Sequence, residues 1–423
     1  MPSTVIEDTA GTRPGVAPGK AGAFREAIAG SASAIGMAAG PDRFTADWLP
    51  AVLSGAYMLV TSVTNFFLTV YFSEQLGFSG RQIGILYAIG AVTGMLASFP
   101  AGMGNDRVTS RTLVALGLAC QGAGFALMAL VQSFAPYVFI YFLGALAGNL
   151  FRISLDVQVL TLDRGSGTGR RVGLYLAWRF LGLTLGTAGA GYVLAWLDFR
   201  VSLIVTAVTC LVLSLTLVRR LAPTRVDHVR LSDYRGDFLA PRVLFFAGWW
   251  FLFSTHWGAE STSYGLFLRQ VLHLDLVEMG WFMAAEFATL LVSVVLVGKK
   301  LDRPESLRRI ILAGLFLSGL GHVGMIYPAV SLSLGFRMLH GLGDGLLSLI
   351  LFVGLARLFP AGHLGGNTGL LNLVMMLGTV LGSLGYGPLG ERFGYAFPLW
   401  ASGATTLLLV VVFLSPRVRK WAL

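Results

Sequence analysis

The sequence predicts an all-α integral membrane protein, twelve transmembrane helices in two six-helix halves. Three observations carry this prediction. The composition is 55% hydrophobic and only 12% charged, with a mean hydropathy of +0.73. Apolar runs of membrane-crossing length recur along the chain, and a loop motif and a set of glycines repeat at an offset of 196 residues. A soluble chain carries about 25% charged residues, so one water-exposed globular core is excluded. The formal net charge of +10 does not point to nucleic acid, because the basic residues lie between apolar runs instead of gathering on a soluble face.

Residues 1 to 48 are small and polar, with no basic n-region, apolar core and cleavage site of the secretory kind. They are expected to form a flexible cytosolic tail. A helix needs about 20 apolar residues to cross roughly 30 Å of hydrocarbon. The first bundle, 49–218, supplies Pro50 to Phe72, Ile83 to Gly104, Leu113 to Val131, Tyr137 to Val159, Val172 to Leu197 and Val201 to Val218. A basic cytosolic linker, 219–242, carries six arginines. The second bundle, 243–415, supplies Val243 to Leu268, Leu276 to Val297, Ile310 to Ile326, Leu332 to Phe359, Gly369 to Leu389 and Ala396 to Leu414, and 416–423 form a second cytosolic tail. With the N-terminal tail inside, 24 lysines and arginines fall on inner segments and 4 on outer loops. The positive-inside rule then places both termini in the cytosol. Arginine outnumbers lysine 27 to 4, a usage that fits a high-GC bacterium and so a multi-pass protein of the bacterial cytoplasmic (inner) membrane. Cys120 and Cys210 sit inside apolar runs, so no disulfide framework is expected.

The repeat pairs Gly102-x-x-x-Asp106-Arg107 after span two with Gly298-x-x-x-Asp302-Arg303 after span eight. The same offset relates Gly173 to Gly369, Gly182 to Gly378 and Gly186 to Gly382, the signature of tandem halves in a secondary transporter. The rows Gly182-x-x-x-Gly186 and Gly378-x-x-x-Gly382 allow close helix approach. They fit either rocking of the two halves on spans five and eleven or static packing.

The stretch Gly102-Met-Gly-Asn-Asp106-Arg107-Val-Thr-Ser-Arg111 resembles the signature loop of the major facilitator superfamily, G-x-L-x-D-R-x-G-R-K. With twelve spans and the repeat, the resemblance covers everything but the N-terminal tail. Thr109 stands where the motif has its second glycine, and Leu307 falls opposite Arg111 in the repeat. A carboxylate beside a helix N-terminus is favoured by the exposed N–H groups and the dipole. The resemblance implies that Asp106 acts in this way on span eleven, with Gly102, Arg107, Arg111, Asp302 and Arg303 completing the gate. The alternative is that these are only topology-setting charges in tight turns.

Ionisable groups inside a bilayer are costly and are candidates for function. His256 and Glu260 are four apart on span seven, and His340 and Asp344 four apart on span ten, so each pair shares a helix face. The spans run antiparallel. Counting from the outer ends puts Glu260 level with His340, and His256 level with Asp344, about 12 and 18 Å deep. The resemblance implies that both spans line a central cavity. Stacked His/carboxylate pairs suit proton coupling, since imidazole changes charge near neutral pH. They also suit divalent transition-metal binding, with His256, Glu260, His340 and Asp344 as ligands, or a purely structural ion-pair network. Glu286 is placed to join the relay, Arg337 to guard the outer mouth, and His322 to stand alone as a packed, hydrogen-bonded histidine. Arg152, Asp156 and Arg179 are expected to form a salt-bridged cluster, with an anion-binding role for the arginines left open; by the resemblance it couples to Arg107 and Arg111. Thr61, Ser62, Thr64 and Asn65 on span one offer neutral groups for substrate, or serve as polar glue between helices.

No Walker loop, HExxH helix or G-x-S-x-G elbow is present, so an enzyme or ATP-driven pump lacks support, and no cofactor is expected. The leading expectation is an alternating-access secondary transporter. It is expected to be proton-coupled, with the lipid bilayer, protons and a small solute or a metal ion as its partners. The alternative is a membrane scaffold or assembly factor of the same fold, without transport.

Overall fold

The computed structural model describes residues 41–416 apart from 66–67, 69–70, 79, 162–167, 217, 224–230, 299–300 and 302–303, together with residue 418. The chain divides into two units, Met1–Thr45 and Ala46–Leu423. Of the first, residues 41–45 are described, as helix, and every contact below lies in the second.

Twelve long helices follow one another, with no strand among the described residues. They are α1 (Pro41–Asn65), α2 (Gly80–Asn105), α3 (Ser110–Leu130), α4 (Phe134–Thr161), α5 (Thr168–Trp196), α6 (Phe199–Thr216), α7 (Pro241–Gln270), α8 (Leu276–Val297), α9 (Pro304–Gly324), α10 (Val330–Leu358), α11 (Leu364–Phe393) and α12 (Ala396–Leu414). By length and hydropathy alone, eight of the described helices can cross a membrane, or nine if α7 and the short linker helix Leu231–Phe238, bent 75° to it, count as one span. The termini have local causes. Asp275 and Glu278 form a reciprocal capping box at the start of α8, and Pro241 opens α7, where its missing N–H costs nothing. Outward-facing Leu96, Leu384 and Leu408 are each more than 60% exposed, which hydrocarbon satisfies and water does not.

Two boundaries differ from expectation. α1 begins at Pro41 and contains Pro50, and it ends at Asn65, after which a π-helical turn, Tyr71–Gln75, takes up part of the expected first span. α7 is interrupted by a π-helical turn, Glu260–Tyr264. Such turns rotate the following side chains out of regular register and collect at functional sites; Glu260 opens this one.

The glycines set the packing. A side chain at Gly182 would overlap the Gly55 carbonyl, and one at Gly186 would overlap Leu59 and Ser62, so this row seats α5 on α1. Gly378 and Gly382 meet Phe251 and Thr255 and seat α11 on α7. Each row therefore packs against a helix of its own half. Contacts between halves come from other glycines: Gly102 lies on Gly365 and Gly369, joining α2 to α11, and Gly173 on Gly298, joining α5 to α8. Both crossings lie at the end of the bundle that carries the Gly102–Arg107 loop, here termed the basic end.

Candidate transport and coupling sites

Four helices of the second half bring a buried polar cluster together. α7 supplies His256 and Glu260, α8 Glu286, α9 Ser318 and His322, and α10 Arg337, His340 and Asp344. His256 Nε2 lies 3.2 Å from Asp344 Oδ2, and His340 Nε2 lies 3.1 Å from Glu260 Oε1. The levels counted along the two antiparallel helices thus correspond to the pairs that meet. Asp344 also accepts from Ser318 Oγ at 2.6 Å and from Trp257 Nε1 at 3.5 Å.

Arg337 departs from its expected place at the outer mouth. It is 1% exposed and its two terminal nitrogens donate separately to Glu260 and Glu286, while its guanidinium lies 4.0 Å above the Tyr264 ring. A guanidinium with two carboxylates this close is drawn inward because an unpaired buried charge is far costlier than a paired one. His322 departs too. Its ring packs against His340 and His256, with centroids 4.8 and 5.5 Å apart, and neither ring nitrogen has a hydrogen-bond partner among the described residues. It belongs to the cluster through ring packing, with no hydrogen bond among the described residues.

The hydrogen bonds orient both imidazoles. A carbonyl only accepts, so His256 Nδ1–H donates to Phe253 O at 2.5 Å and His340 Nδ1–H to Ser318 O at 3.0 Å. His256 Nε2 is then turned on the Asp344 carboxylate and needs a further proton, on itself or on its partner, whereas His340 Nε2 lies within 3.1 Å of Glu260 Oε1 without hydrogen-bond geometry. With all three ionised, Glu260, Glu286 and Asp344 oppose one guanidinium, a deficit of two. Two protons bring the buried cluster to neutrality. For metal chemistry, one donor atom each from His256, Glu260 and His340 lie within 4.8 Å of one another, but the Glu260 carboxylate is already held by Arg337.

A cavity of about 290 Å³ lies between the halves. α4 and α5 line it with Arg152, Asp156 and Arg179; α7, α10 and α11 line it with Trp257, Phe352 and Asn372. Trp257 is the wall it shares with the cluster. The expected salt-bridged group here is only partly present. Arg179 lies 3.6 Å from Asp156, which also accepts from Tyr175 Oη at 2.6 Å. Arg152 turns away and donates to the amide oxygens of Asn372 and Asn149 at 3.3 and 3.4 Å. Neither Arg107, which is exposed, nor Arg111 pairs with Asp156 among the described residues. Thr61 and Ser62 donate to Tyr57 O and Met58 O, four residues back on their own helix; the side chains of Thr64 and Asn65 lie outside the described residues. A larger groove, about 790 Å³ between α2 and α4, is apolar and carries no ionisable group among its lining residues.

At the basic end, Asp106 receives the N–H groups of Gly365 and Gly366, at 2.8 and 2.6 Å, across the start of α11. The linker helix adds a third donor, Tyr234 Oη, at 2.9 Å. One turn on, Asp237 Oδ2 accepts from His363 Nδ1 at 2.6 Å and Asn367 Nδ2 at 2.9 Å. Burial raises the Asp106 carboxyl from its ordinary value, against the pull of Gly366, Tyr234 and Gly365. Burial and the Asp106 charge raise the Tyr234 phenol still further, so it stays a donor. Asp302 and Arg303, the repeat counterparts, lie outside the described residues.

Sequence reasoning missed Ser318, Tyr175, Tyr234, Asp237, His363 and Asn372. Ser318 carried one signal, since it is four residues from His322 and shares its face. The others join segments far apart in the chain.

The sequence matches the family model of the Major Facilitator Superfamily over residues 51–307 and 261–422. The chain belongs to the major facilitator superfamily. Members of this superfamily are membrane transporters that handle small-molecule substrates within the lipid bilayer, and they are generally not enzymes. Among curated relatives, the multidrug resistance protein MdtH of Aeromonas hydrophila is 24% identical over 387 residues, covering 86% of this chain and 94% of that protein. MdtH of Aeromonas salmonicida is 24% identical over 383 residues, with the same coverage. Among solved structures, the human organic anion transporter MFSD10 superposes with a TM-score of 0.73 at 14% identity, over 89% of this chain and 100% of that one. A bacterial homologue of the iron transporter ferroportin, outward-facing, gives 0.67 at 18% identity, over 90% and 99%. At these identities the structural likenesses establish the fold of this superfamily member.

Proposed function

We propose that this superfamily member is a secondary active transporter that alternates access between its two halves, couples to protons through the α7–α10 cluster, and carries a small organic solute through the cavity between the halves. The observation that carries the reading is the pair of imidazoles, each with Nδ1–H spent on a backbone carbonyl and Nε2 within 3.2 Å of a carboxylate oxygen, beside Arg337 held by two acids. A static scaffold gains nothing from two such protons buried in a membrane. Trp257 touches both Asp344 and the cavity, so a change of protonation alters the wall that a solute contacts. Asp106, with Gly365, Gly366 and Tyr234, holds the basic end shut, and by the positive-inside rule that end is cytosolic, with both termini, in a bacterial inner membrane.

A divalent metal cargo is the second reading, favoured by the three donor atoms of His256, Glu260 and His340. A cation at Glu260 shares that carboxylate with the Arg337 guanidinium on Oε1, whose positive charge repels it, which makes protons the better occupant. Proteoliposomes loaded with a pH dye and a metal-sensitive dye separate the readings. Proton movement on addition of a solute gradient, lost in His256→Ala and Asp344→Asn, is expected. Entry of Fe²⁺, Mn²⁺ or Zn²⁺ that depends on both residues would replace the proton reading with the metal one. An unchanged phenotype after Glu260→Gln with Asp344→Asn would leave the scaffold reading standing.

A further inference from the structure

The cavity between the halves has an electrostatic property that the proton cluster does not explain. Its lining residues carry two guanidinium groups, Arg152 and Arg179, and one carboxylate, Asp156. One positive charge is therefore uncompensated within the membrane, where charge is normally paired. Asp156 is committed elsewhere, to Tyr175 at 2.6 Å, and its contact with Arg179 is a loose 3.6 Å. Arg152 has neutral amide oxygens for partners, both at long distance. Its fork, shaped for two parallel bonds to a carboxylate or a related oxyanion, is thus divided between two neutral amides and meets no oxyanion of the protein.

We infer that Arg152 and Arg179 bind the acidic group of an organic monoanion with an apolar body. This rests on the cavity being the transport pathway. One negative charge makes the cavity neutral, whereas a cation would add to the charge already there. The rest of the wall dictates the body: Leu176, Phe180, Phe352, Met375 and Met376 are apolar, and methionines adapt to varied shapes. About 290 Å³ lies at the small end of ligand pockets, roughly 300 to 1,000 Å³, and fits a single-ring acid better than a large drug. Arg152 belongs to α4 in the first half and its partner Asn372 to α11 in the second. An anion that takes over this guanidinium replaces a bond between the halves, which links binding to their relative movement.

The test is equilibrium binding of radiolabelled benzoate to the purified full chain, competed with benzenesulfonate, benzamide and benzylamine, which share the ring and differ in charge. Saturable benzoate binding is expected, displaced by the sulfonate, with the amide and amine at least about tenfold weaker. Arg152→Gln is expected to lose a similar factor in affinity, and Arg152→Lys less, because the lysine keeps the charge without the fork. No saturable binding, equal competition by benzamide or benzylamine, or full affinity in Arg152→Gln would overturn the inference. The comparison among probes uses the unaltered protein, so a variant that fails to fold does not blunt it. Lost anion binding with proton flux intact defeats the anion site alone. Intact benzoate binding and transport, indifferent to a pH gradient, defeats the coupling reading alone.

Discussion

Arg337 illustrates how one side chain can organise a membrane interior. Its guanidinium joins Glu260 of α7 to Glu286 of α8 from a position on α10, so three helices depend on it. Arg337→Gln leaves Glu286 unpaired and Glu260 with His340 alone, and the expected cost is about 3–5 kcal/mol, read as a drop in the thermal midpoint of the detergent-solubilised protein. Adding Glu286→Gln to Arg337→Gln is expected to recover part of that loss, since one of the stranded charges is gone; independent additive losses would show that the pair does not act as a unit. Glu286→Gln alone keeps Arg337 paired with Glu260. It is expected to fold and to lose proton-driven flux in the dye-loaded vesicles.

Helix pairs repeat what single residues do. Gly182 on Gly55 and Gly378 on Phe251 are the same contact at an offset of 196, as are Gly102 on Gly369 and Gly298 on Gly173. Two helix-packing solutions are thus each used twice, one within the halves and one between them. Gly182→Ala drives a methyl into the Gly55 carbonyl, and overpacking of that kind costs about 1–3 kcal/mol. Gly189→Ala, on the same helix with nothing within 4 Å, is expected to be neutral or slightly stabilising, which makes the two a matched pair for thermal unfolding. At the basic end the linker helix acts as a strap through Tyr234 and Asp237. Asp106→Asn removes an anion from the α11 N-terminus, and Tyr234→Phe removes one donor. Both are expected to open that end, with the larger effect for Asp106. Thiol labelling of Thr368→Cys on the cavity wall should accelerate several-fold in Asp106→Asn, by the loss of about 1 kcal/mol or more from a capped helix end. An unchanged labelling rate would remove Asp106 from the gate.

For the molecule in its membrane, orientation follows from charge. The basic end carries the Gly102–Arg107 loop and the linker helix, while Arg200 and Arg392 lie at the other. In a chain whose free Cys120 and Cys210 are both replaced by alanine, Arg235→Cys is expected to resist a membrane-impermeant maleimide in intact cells and react after permeabilisation. Arg200→Cys is expected to react in both. The reverse pattern would invert the topology and place the closed end outside.

Class and repeat were legible in the chain because bilayer thickness demands long apolar runs, and duplication leaves glycines at a constant offset wherever two backbones touch. The pairing of Glu260 with His340 and of His256 with Asp344 was legible for a related reason, since a helix has a fixed rise and antiparallel helices place equal depths opposite each other. The destinations of long side chains were not. Arg337 can reach several ångströms along or across the bundle, and only the positions of Glu260 and Glu286 in three dimensions decided that it turns inward. The π-helical turn at Glu260 breaks the period on which face assignments rest. His322, Asn372 and Tyr234 meet their partners across gaps of up to 220 residues, and no local pattern records such meetings. Hydrophobicity and helical period set where the backbone goes. Which charges end up paired, and which guanidinium is left with only amides for company, is settled by packing, because a buried charge takes the best partner within reach and that reach is a property of the assembled bundle.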